Sequence, residues 1–143
     1  MFFGINKNGK ASAENYGIIE NFEKVSLKII GMRGTIIYEL ICSGDTVEIT
    51  NYSVRYNNGK SENIPEDSVS CDSGAVISKL NELGVASWNG FKGKHPKNVL
   101  DGRMFDFTAS VNGGKMIRAE GSENFPKHFH DFTGWLYEIL REK

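Results

Sequence analysis

The sequence has little of several features that would assign it to a specialised class of protein. Only 2 cysteines and 3 prolines occur among its 143 residues, which excludes a disulfide-rich scaffold and a proline-rich disordered chain. Neither sign of charge dominates, because 17 Lys and Arg residues accompany 18 Asp and Glu residues. A nucleic-acid-binding domain usually has a strongly basic face, so no specific nucleic acid is expected as a partner.

Long apolar runs are also missing. The richest one, residues 36–42, contains Glu39, whereas a membrane-spanning helix needs about 20 consecutive apolar residues. The apolar start around Phe2 is too short for the hydrophobic part of a signal peptide. We therefore expect no membrane span and a cytoplasmic location. In that compartment, Cys42 and Cys71 are expected to be reduced thiols.

The composition that remains is typical of one folded domain. Hydrophobic residues make up 39% and charged residues 24%, as in ordinary globular domains. We expect a single globular domain over residues 1–143. Residues 1–21 are rich in turn-forming residues and predict either one short strand or a loosely attached N-terminal arm.

Three antiparallel strands are predicted for the first half of the chain. Apolar and polar residues alternate from Val25 to Ile29, the period of a half-buried strand. Residues 35–42 and 46–56 are rich in β-branched and aromatic side chains and predict the next two strands. The change in polarity around Asn51 indicates a bulge or bend in the third strand.

A tight turn and then a helix are predicted next. Residues 57–60, Asn-Asn-Gly-Lys, favour a hairpin turn, and Pro65 is expected to stop the preceding strand. Apolar residues at helical spacing over 69–83 predict a helix, and Gly84 is placed to end it. The residues able to cap its first turn are Ser70 and Asp72.

The second half predicts a hairpin and a final helix. Residues 103–111 alternate, residues 112–115 form a turn, and residues 116–120 return as a strand. Asn124 is expected to be the N-cap of the last helix, with Pro126 at its first position. Its apolar stripe consists of Phe125, Phe129, Phe132, Leu136, Ile139 and Leu140. The order βββ-α-ββ-α predicts an α+β fold, an antiparallel sheet of roughly five strands with both helices packed on one face.

A set of short motifs in the second half resembles a known group of proteins. The motifs are Trp88-Asn89-Gly90-Phe91, Val99-Leu100-Asp101-Gly102, Phe105-Asp106-Phe107, Gly113-Gly114, Ala119-Glu120-Gly121 and Asn124-Phe125-Pro126 before a helix. In these residues the chain is similar to a family of uncharacterised small bacterial proteins of gut-anaerobe type. The resemblance implies a domain type and a bacterial origin, and it implies no activity, catalytic residue or ligand.

Metal and thiol chemistry have little support in the sequence. His128 and His130 are two residues apart and would point to different sides of a helix, so they do not form a metal site with His95 and Asp131. Cys71 precedes the predicted helix, where a thiol can be activated, but no partner base is placed beside it. We expect no metal and no cofactor, and a packed thiol at Cys71.

Four carboxylates near the last hairpin leave an enzymatic alternative open. They are Asp101, Asp106, Glu120 and Glu123. Paired carboxylates can perform general acid and base chemistry when their separation is fixed, and nothing in the sequence fixes it here. A small hydrolase or transferase using groups near this hairpin is therefore an alternative reading, and no catalytic residue is assigned.

One loop combines aromatic and basic side chains. Its residues, with one later arginine, form a candidate interaction surface that comprises Trp88, Phe91, Lys92, Lys94, His95, Lys97 and Arg103. Aromatic rings interleaved with cations can bind an acidic partner. The favoured interpretation is that Trp88 and Phe91 instead fill the gap between helix and sheet while the lysines are solvated.

Taken together, the motifs predict a non-catalytic binding or interaction module. Its partner is expected to be another protein or a second copy of the chain, and the sequence does not identify a small-molecule ligand. A further alternative is a self-assembling structural protein, in which an exposed edge strand such as the one ending at Tyr56 pairs with another chain.

Overall fold

The computed structural model describes residues 17–98 and 102–142, which form a seven-stranded sheet and two α-helices. The strands are β1 (Phe22–Gly31), β2 (Gly34–Ser43), β3 (Thr46–Asn57), β4 (Lys60–Asp72), β5 (Lys92–Gly93), β6 (Met104–Val111) and β7 (Lys115–Ser122). The helices are α1 (Ser73–Glu82) and α2 (Phe129–Glu142), and a short 3-10 helix spans Val85–Trp88. The protein is therefore an α+β protein, as predicted.

The sheet is larger than predicted and is mixed. Its strand order is β4-β3-β2-β1-β6-β7-β5, and all neighbours are antiparallel except β5, which pairs with β7 in parallel. The predicted number of about five strands was too small because it missed β4 and the two-residue β5, and the parallel β5–β7 pair means that the sheet is not purely antiparallel. The prediction also left the strand that contains Tyr56 at an edge, whereas β3 is paired on both sides, by β2 and β4.

The segment containing Pro65 continues as a strand instead of ending one. Pro65 pairs with Tyr52, and a shift in register between Asn51 and Tyr52 leaves Glu66 outside the residue-by-residue pairing, although its carboxylate accepts from the Ser53 hydroxyl at 2.7 Å. Proline is tolerated here because β4 is an edge strand, where a missing N–H need not break the ladder. An irregularity does occur in the pairing at Asn51, but the extra residue, Glu66, lies in β4 and not in the third strand as predicted.

Helix α1 is shorter than predicted, since Val69 lies on β4 opposite Ile49. Asp72 is its N-cap and accepts a hydrogen bond from the Ala75 N–H at 2.9 Å. Gly84 follows the helix with φ of +67°, a conformation that favours glycine. Of the predicted signals, the Asp72 cap and the Gly84 stop are confirmed.

One buried cluster joins one face of the sheet to both helices. Val25, Leu40 and Phe107 contribute from the strands, and Leu80 and Leu136 contribute from α1 and α2. The alternation predicted for the strand at 103–111 is confirmed, because Phe105, Phe107, Ala109 and Val111 are buried.

The two cysteines lie on β2 and β4, the strands on either side of β3. Cys42 and Cys71 both lie opposite Val47, one on each side of β3. They are therefore two strand spacings apart, roughly 10 Å, beyond the about 7 Å over which two Cα atoms can be joined by a disulfide. Both are free thiols, and burial raises the pKa of the Cys71 thiol, which disfavours the reactive thiolate.

Helix α2 begins at Phe129, so the prediction that Asn124 caps it and that Pro126 is its first residue was wrong. His128 has φ of +67° and cannot belong to the helix. Asn124 instead closes the chain against the sheet, where its side-chain amide donates to the Lys94 carbonyl oxygen at 3.4 Å. A Cβ at Gly121 would collide with the Asn124 carbonyl oxygen, so this close approach requires glycine.

Residues 17–21 are attached to the sheet by two asparagines. The Ile19 N–H donates to Asn81 Oδ1 at 2.8 Å, and Asn81 Nδ2 donates to the Ile19 carbonyl oxygen at 2.9 Å. Asn112 Oδ1 accepts from the Glu20 N–H at 2.7 Å. Ile19 itself is buried in the core. This part of the predicted arm is therefore firmly docked, and residues 1–16 lie outside the described residues.

Candidate binding site

The first candidate residue, Trp88, lies in the core. Its side chain is 1% exposed, and its ring packs edge-on against Phe107 at 5.0 Å and Phe132 at 5.6 Å between ring centroids. Its indole N–H donates to the Lys127 carbonyl oxygen at 3.0 Å. The ring therefore cannot take part in an external surface, and it fills the space between helix and sheet.

The rest of that loop is held against β7. The Gly90 N–H donates to the Arg118 carbonyl oxygen at 2.9 Å, and the Glu120 N–H donates to the Phe91 carbonyl oxygen at 3.0 Å. Phe91 packs on Phe105 with 6.2 Å between ring centroids. The order of small, polar and aromatic residues at 88–91 thus serves to attach this segment to the sheet.

The basic residues of the predicted surface are divided between different surroundings. Lys92 pairs in register with Glu120, and His95 Nδ1 lies 2.8 Å from the Ser122 hydroxyl. Lys94 and Lys97 are exposed. Arg103 places its guanidinium carbon 5.4 Å from the centre of the Phe125 ring. Of the seven residues, Arg103 is the one that lines the groove described below.

Three of the four carboxylates of the enzymatic alternative lie within the described residues. Asp106 and Glu120 are cross-strand neighbours, and Lys28 and Lys92 flank them in the same row of the sheet. Glu123 accepts a hydrogen bond from the Arg103 N–H at 2.6 Å. Asp101 lies outside the described residues.

The histidines and the side chains with raised pKa values lie at different places in the fold. His128 Nδ1 lies 2.9 Å from Asp131 Oδ2, and no group of three potential metal ligands occurs within 17–98 and 102–142. Burial raises the pKa of Tyr38 and of Tyr52, and Tyr52 also donates to Glu39 at 3.0 Å. Tyr38, Tyr52 and Cys71 lie on three different strands.

A groove lies between the β1–β2 turn and α2. Its volume is about 480 Å³, and it is lined by two segments that are distant in the sequence together with Arg103. Residues from 29–38 form one wall, and residues from 130–137 form the other. Hairpin and helix therefore build this site jointly.

The groove exposes apolar side chains that a core would normally cover. Met32 is 80% exposed, Tyr137 is 54% exposed and Ile36 is 43% exposed. Tyr38 lies at the buried side of the groove, where burial and the neighbouring Tyr137 raise its pKa. Clustered exposed apolar residues of this kind are typical of surfaces that bind a partner.

The charged lining of the groove is of one sign. Arg33 and Arg103 are its charged side chains, the imidazole of His130 adds a polar group, and no Asp or Glu stands among the described residues that line it. His130 packs edge-on against Phe125, with 4.9 Å between the ring centroids. Two acidic residues next to lining residues in the chain or in space have partners of their own: Glu123 accepts from the Arg103 N–H, and Asp131 lies 2.9 Å from His128 Nδ1.

Gly134 lies in the middle of α2, where the helix faces the groove. A Cβ added there would meet nothing within 4 Å outside the local helix backbone. Glycine in a helix interior costs about 1 kcal/mol relative to alanine. Since no contact within the described chain requires the glycine, its position leaves the helix backbone open to close approach from outside.

Apart from Arg103, sequence reasoning missed the groove because its walls are separated by about 100 residues of chain. Two local signals do point to it. One is a glycine inside an otherwise well-patterned amphipathic helix, and the other is a Met32-Arg33 turn with an apolar side chain at its tip.

Comparison of the chain with protein-family models, with curated proteins and with solved structures found no match. Neither helix among the described residues is long and apolar enough to cross a membrane.

Proposed function

We propose that this protein is a non-catalytic binding module and that the groove between the β1–β2 turn and α2 is its binding site. The observation that carries the proposal is the groove itself, about 480 Å³ in volume, with apolar side chains exposed beside cationic ones. Apolar area provides affinity, and a few placed polar groups provide orientation. The bacterial origin and cytoplasmic location expected from the sequence remain part of this proposal.

The open shape of the site favours a polypeptide partner over a small enclosed ligand. Small-molecule sites usually bury most of the ligand surface, whereas this groove runs along one side of a helix and ends at an exposed turn. The residues with raised pKa values, Tyr38, Tyr52 and Cys71, lie on β2, β3 and β4 and not on the last hairpin. They therefore add no tuned group to the carboxylates of the hydrolase or transferase alternative.

Selection of displayed random peptides on the intact protein tests the proposal. A Gly134→Leu variant fills the groove while leaving the helix intact, because the position has open space around it and leucine is a good helix former. Selected peptides are expected to bind the variant at least about tenfold more weakly. A tenfold change in affinity corresponds to roughly 1.4 kcal/mol, which is the loss expected when one apolar contact is blocked.

Ser78→Leu on α1 is the matched control, because it adds the same side chain to an exposed helix position away from the groove. Peptide affinity for that variant should equal the wild-type value. The proposed site would be refuted if no binding peptide is recovered. It would also be refuted if Gly134→Leu melts cooperatively and yet leaves the affinity of the selected peptides unchanged.

A further inference from the structure

We infer that the groove recognises an acidic peptide segment of a partner protein, anchored by an apolar side chain. This inference rests on the proposed function and specifies the chemistry of the partner. It follows from two features of the same surface, a cationic lining without carboxylates and an apolar notch at Gly134.

Two arginines and an imidazole are placed around the apolar surface. Arg33 stands at the tip of the β1–β2 turn, and His130 stands on α2 across the groove. Arg103 directly precedes β6, and its guanidinium stacks on Phe125. Carboxylates beside an apolar residue of the occupant would pair with the arginines and accept a hydrogen bond from the imidazole N–H.

The net charge of the whole chain does not produce this pattern. The formal net charge is −1, so a groove whose described lining has two arginines and no carboxylate is a local departure from the average. Complementary charge at the edge of an interface raises the association rate and excludes partners of the wrong sign. A basic peptide should therefore be rejected even when its apolar residue is the same.

The notch at Gly134 supplies the apolar anchor. Ile36 and Tyr137 are exposed beside it, and the absence of a side chain on the helix lets a residue of the partner approach the backbone closely. Gly134→Ala should therefore weaken peptide binding although it favours the helix. A purely structural role for the glycine would not give this opposite effect on stability and binding.

Fluorescence anisotropy with synthetic peptides tests the inference. The probe is a labelled peptide of about eight residues with Phe-Leu at its centre and glutamates on both sides, and its counterpart carries lysines instead. The acidic peptide is expected to bind at least about tenfold more tightly, and its affinity should fall as salt is added.

Charge reversal at the groove provides the decisive comparison. Arg33→Glu should abolish or invert the preference for the acidic peptide, whereas Lys115→Glu, at the β6–β7 turn on the opposite end of the sheet, should leave it unchanged. Thermal melting of both variants confirms folding. Equal binding of the two peptides, or a preference that Arg33→Glu does not alter, would overturn the inference.

The outcomes separate this inference from the proposed function. Neutral peptides that bind in a manner sensitive to Gly134→Leu, with no preference for acid, would refute the acidic partner and retain the groove. Decanoate tests a fatty acid as the occupant. If decanoate displaces the acidic peptide, binds more tightly than the peptide does and loses affinity in Arg33→Glu, the occupant is a fatty acid. If the protein self-associates and Arg33→Glu abolishes the association, the occupant is a second copy of the chain, and either result refutes the acidic peptide as the partner.

Discussion

At the scale of single residues, Trp88 changes from a candidate surface group into a central core residue. Trp88→Ala is expected to lower the free energy of unfolding by about 3 to 5 kcal/mol, the range for deleting a large buried aromatic ring. The ring loses its contacts with Phe107 and Phe132, and the Lys127 carbonyl oxygen loses a donor. Urea denaturation followed by circular dichroism measures this change.

Trp88→Phe separates the packing from the hydrogen bond. Phenylalanine keeps an aromatic ring in the site but removes the indole N–H, so the expected loss is smaller, about 1 to 3 kcal/mol. Equal losses for the two variants would show that the ring contributes little, and an unchanged stability in Trp88→Ala would contradict the buried position.

Single residues also explain which predictions succeeded. Phe105, Phe107 and Ala109 alternate with polar neighbours because β6 has one buried and one exposed face. Asp72 and Gly84 act locally, through their own side chain or backbone conformation, so their roles are visible in the sequence. Asn124 resembles an N-cap, yet tertiary contact with Gly93 and Gly121 sets its position.

At the scale of elements, the features that the sequence did not predict are those that depend on the pairing of distant segments. Strand β4 lacks an alternating apolar pattern because it is largely exposed at the edge of the sheet. It is specified by its pairing with β3, including the Asn51 side chain, whose Oδ1 accepts from the Asp67 N–H at 2.8 Å. The groove was missed for the same reason, since the β1–β2 turn and α2 meet only in the folded chain.

The docking of residues 17–21 gives a prediction for one such pairing. Asn81→Ala removes both hydrogen bonds to Ile19 and is expected to cost about 1 to 3 kcal/mol, because partly buried backbone groups lose their partners. Hydrogen exchange of the Ile19 amide should become faster, while the amides of β1 and β6 keep their protection.

Asn112→Ala provides the comparison, because Asn112 binds the same segment from the β6–β7 turn. The costs of the two substitutions should not be additive if the segment docks as a unit, since either change alone releases it. Strict additivity, together with an unchanged exchange rate at Ile19, would mean that the asparagines do not hold the segment.

At the scale of the whole molecule, the edges of the sheet bear on self-assembly. The β3 strand that contains Tyr56 is fully paired, which leaves β4 as the long edge and β5 as a two-residue edge. Pro65 and the bulged Glu66 interrupt β4, and proline, charge and bulges are the means by which edge strands avoid pairing with other chains. We therefore expect that the edge strands do not pair with other chains and that the protein is a monomer.

Removing that interruption should convert β4 into a template for association. Pro65→Val combined with deletion of Glu66 restores continuous register with β3, because Asp67 already pairs with Asn51 and residue 65 with Tyr52. Sedimentation velocity over a range of concentrations is expected to show a monomer for the wild-type protein and oligomers for this variant. The control variant combines the same deletion with Pro65→Lys. It keeps the continuous strand but adds a charge to the edge, so this variant should stay monomeric. If the wild-type protein forms oligomers and the Pro65→Lys deletion variant does not, the natural β4 edge is already an interface. If the Pro65→Val deletion variant is monomeric, proline and the bulge do not protect the edge.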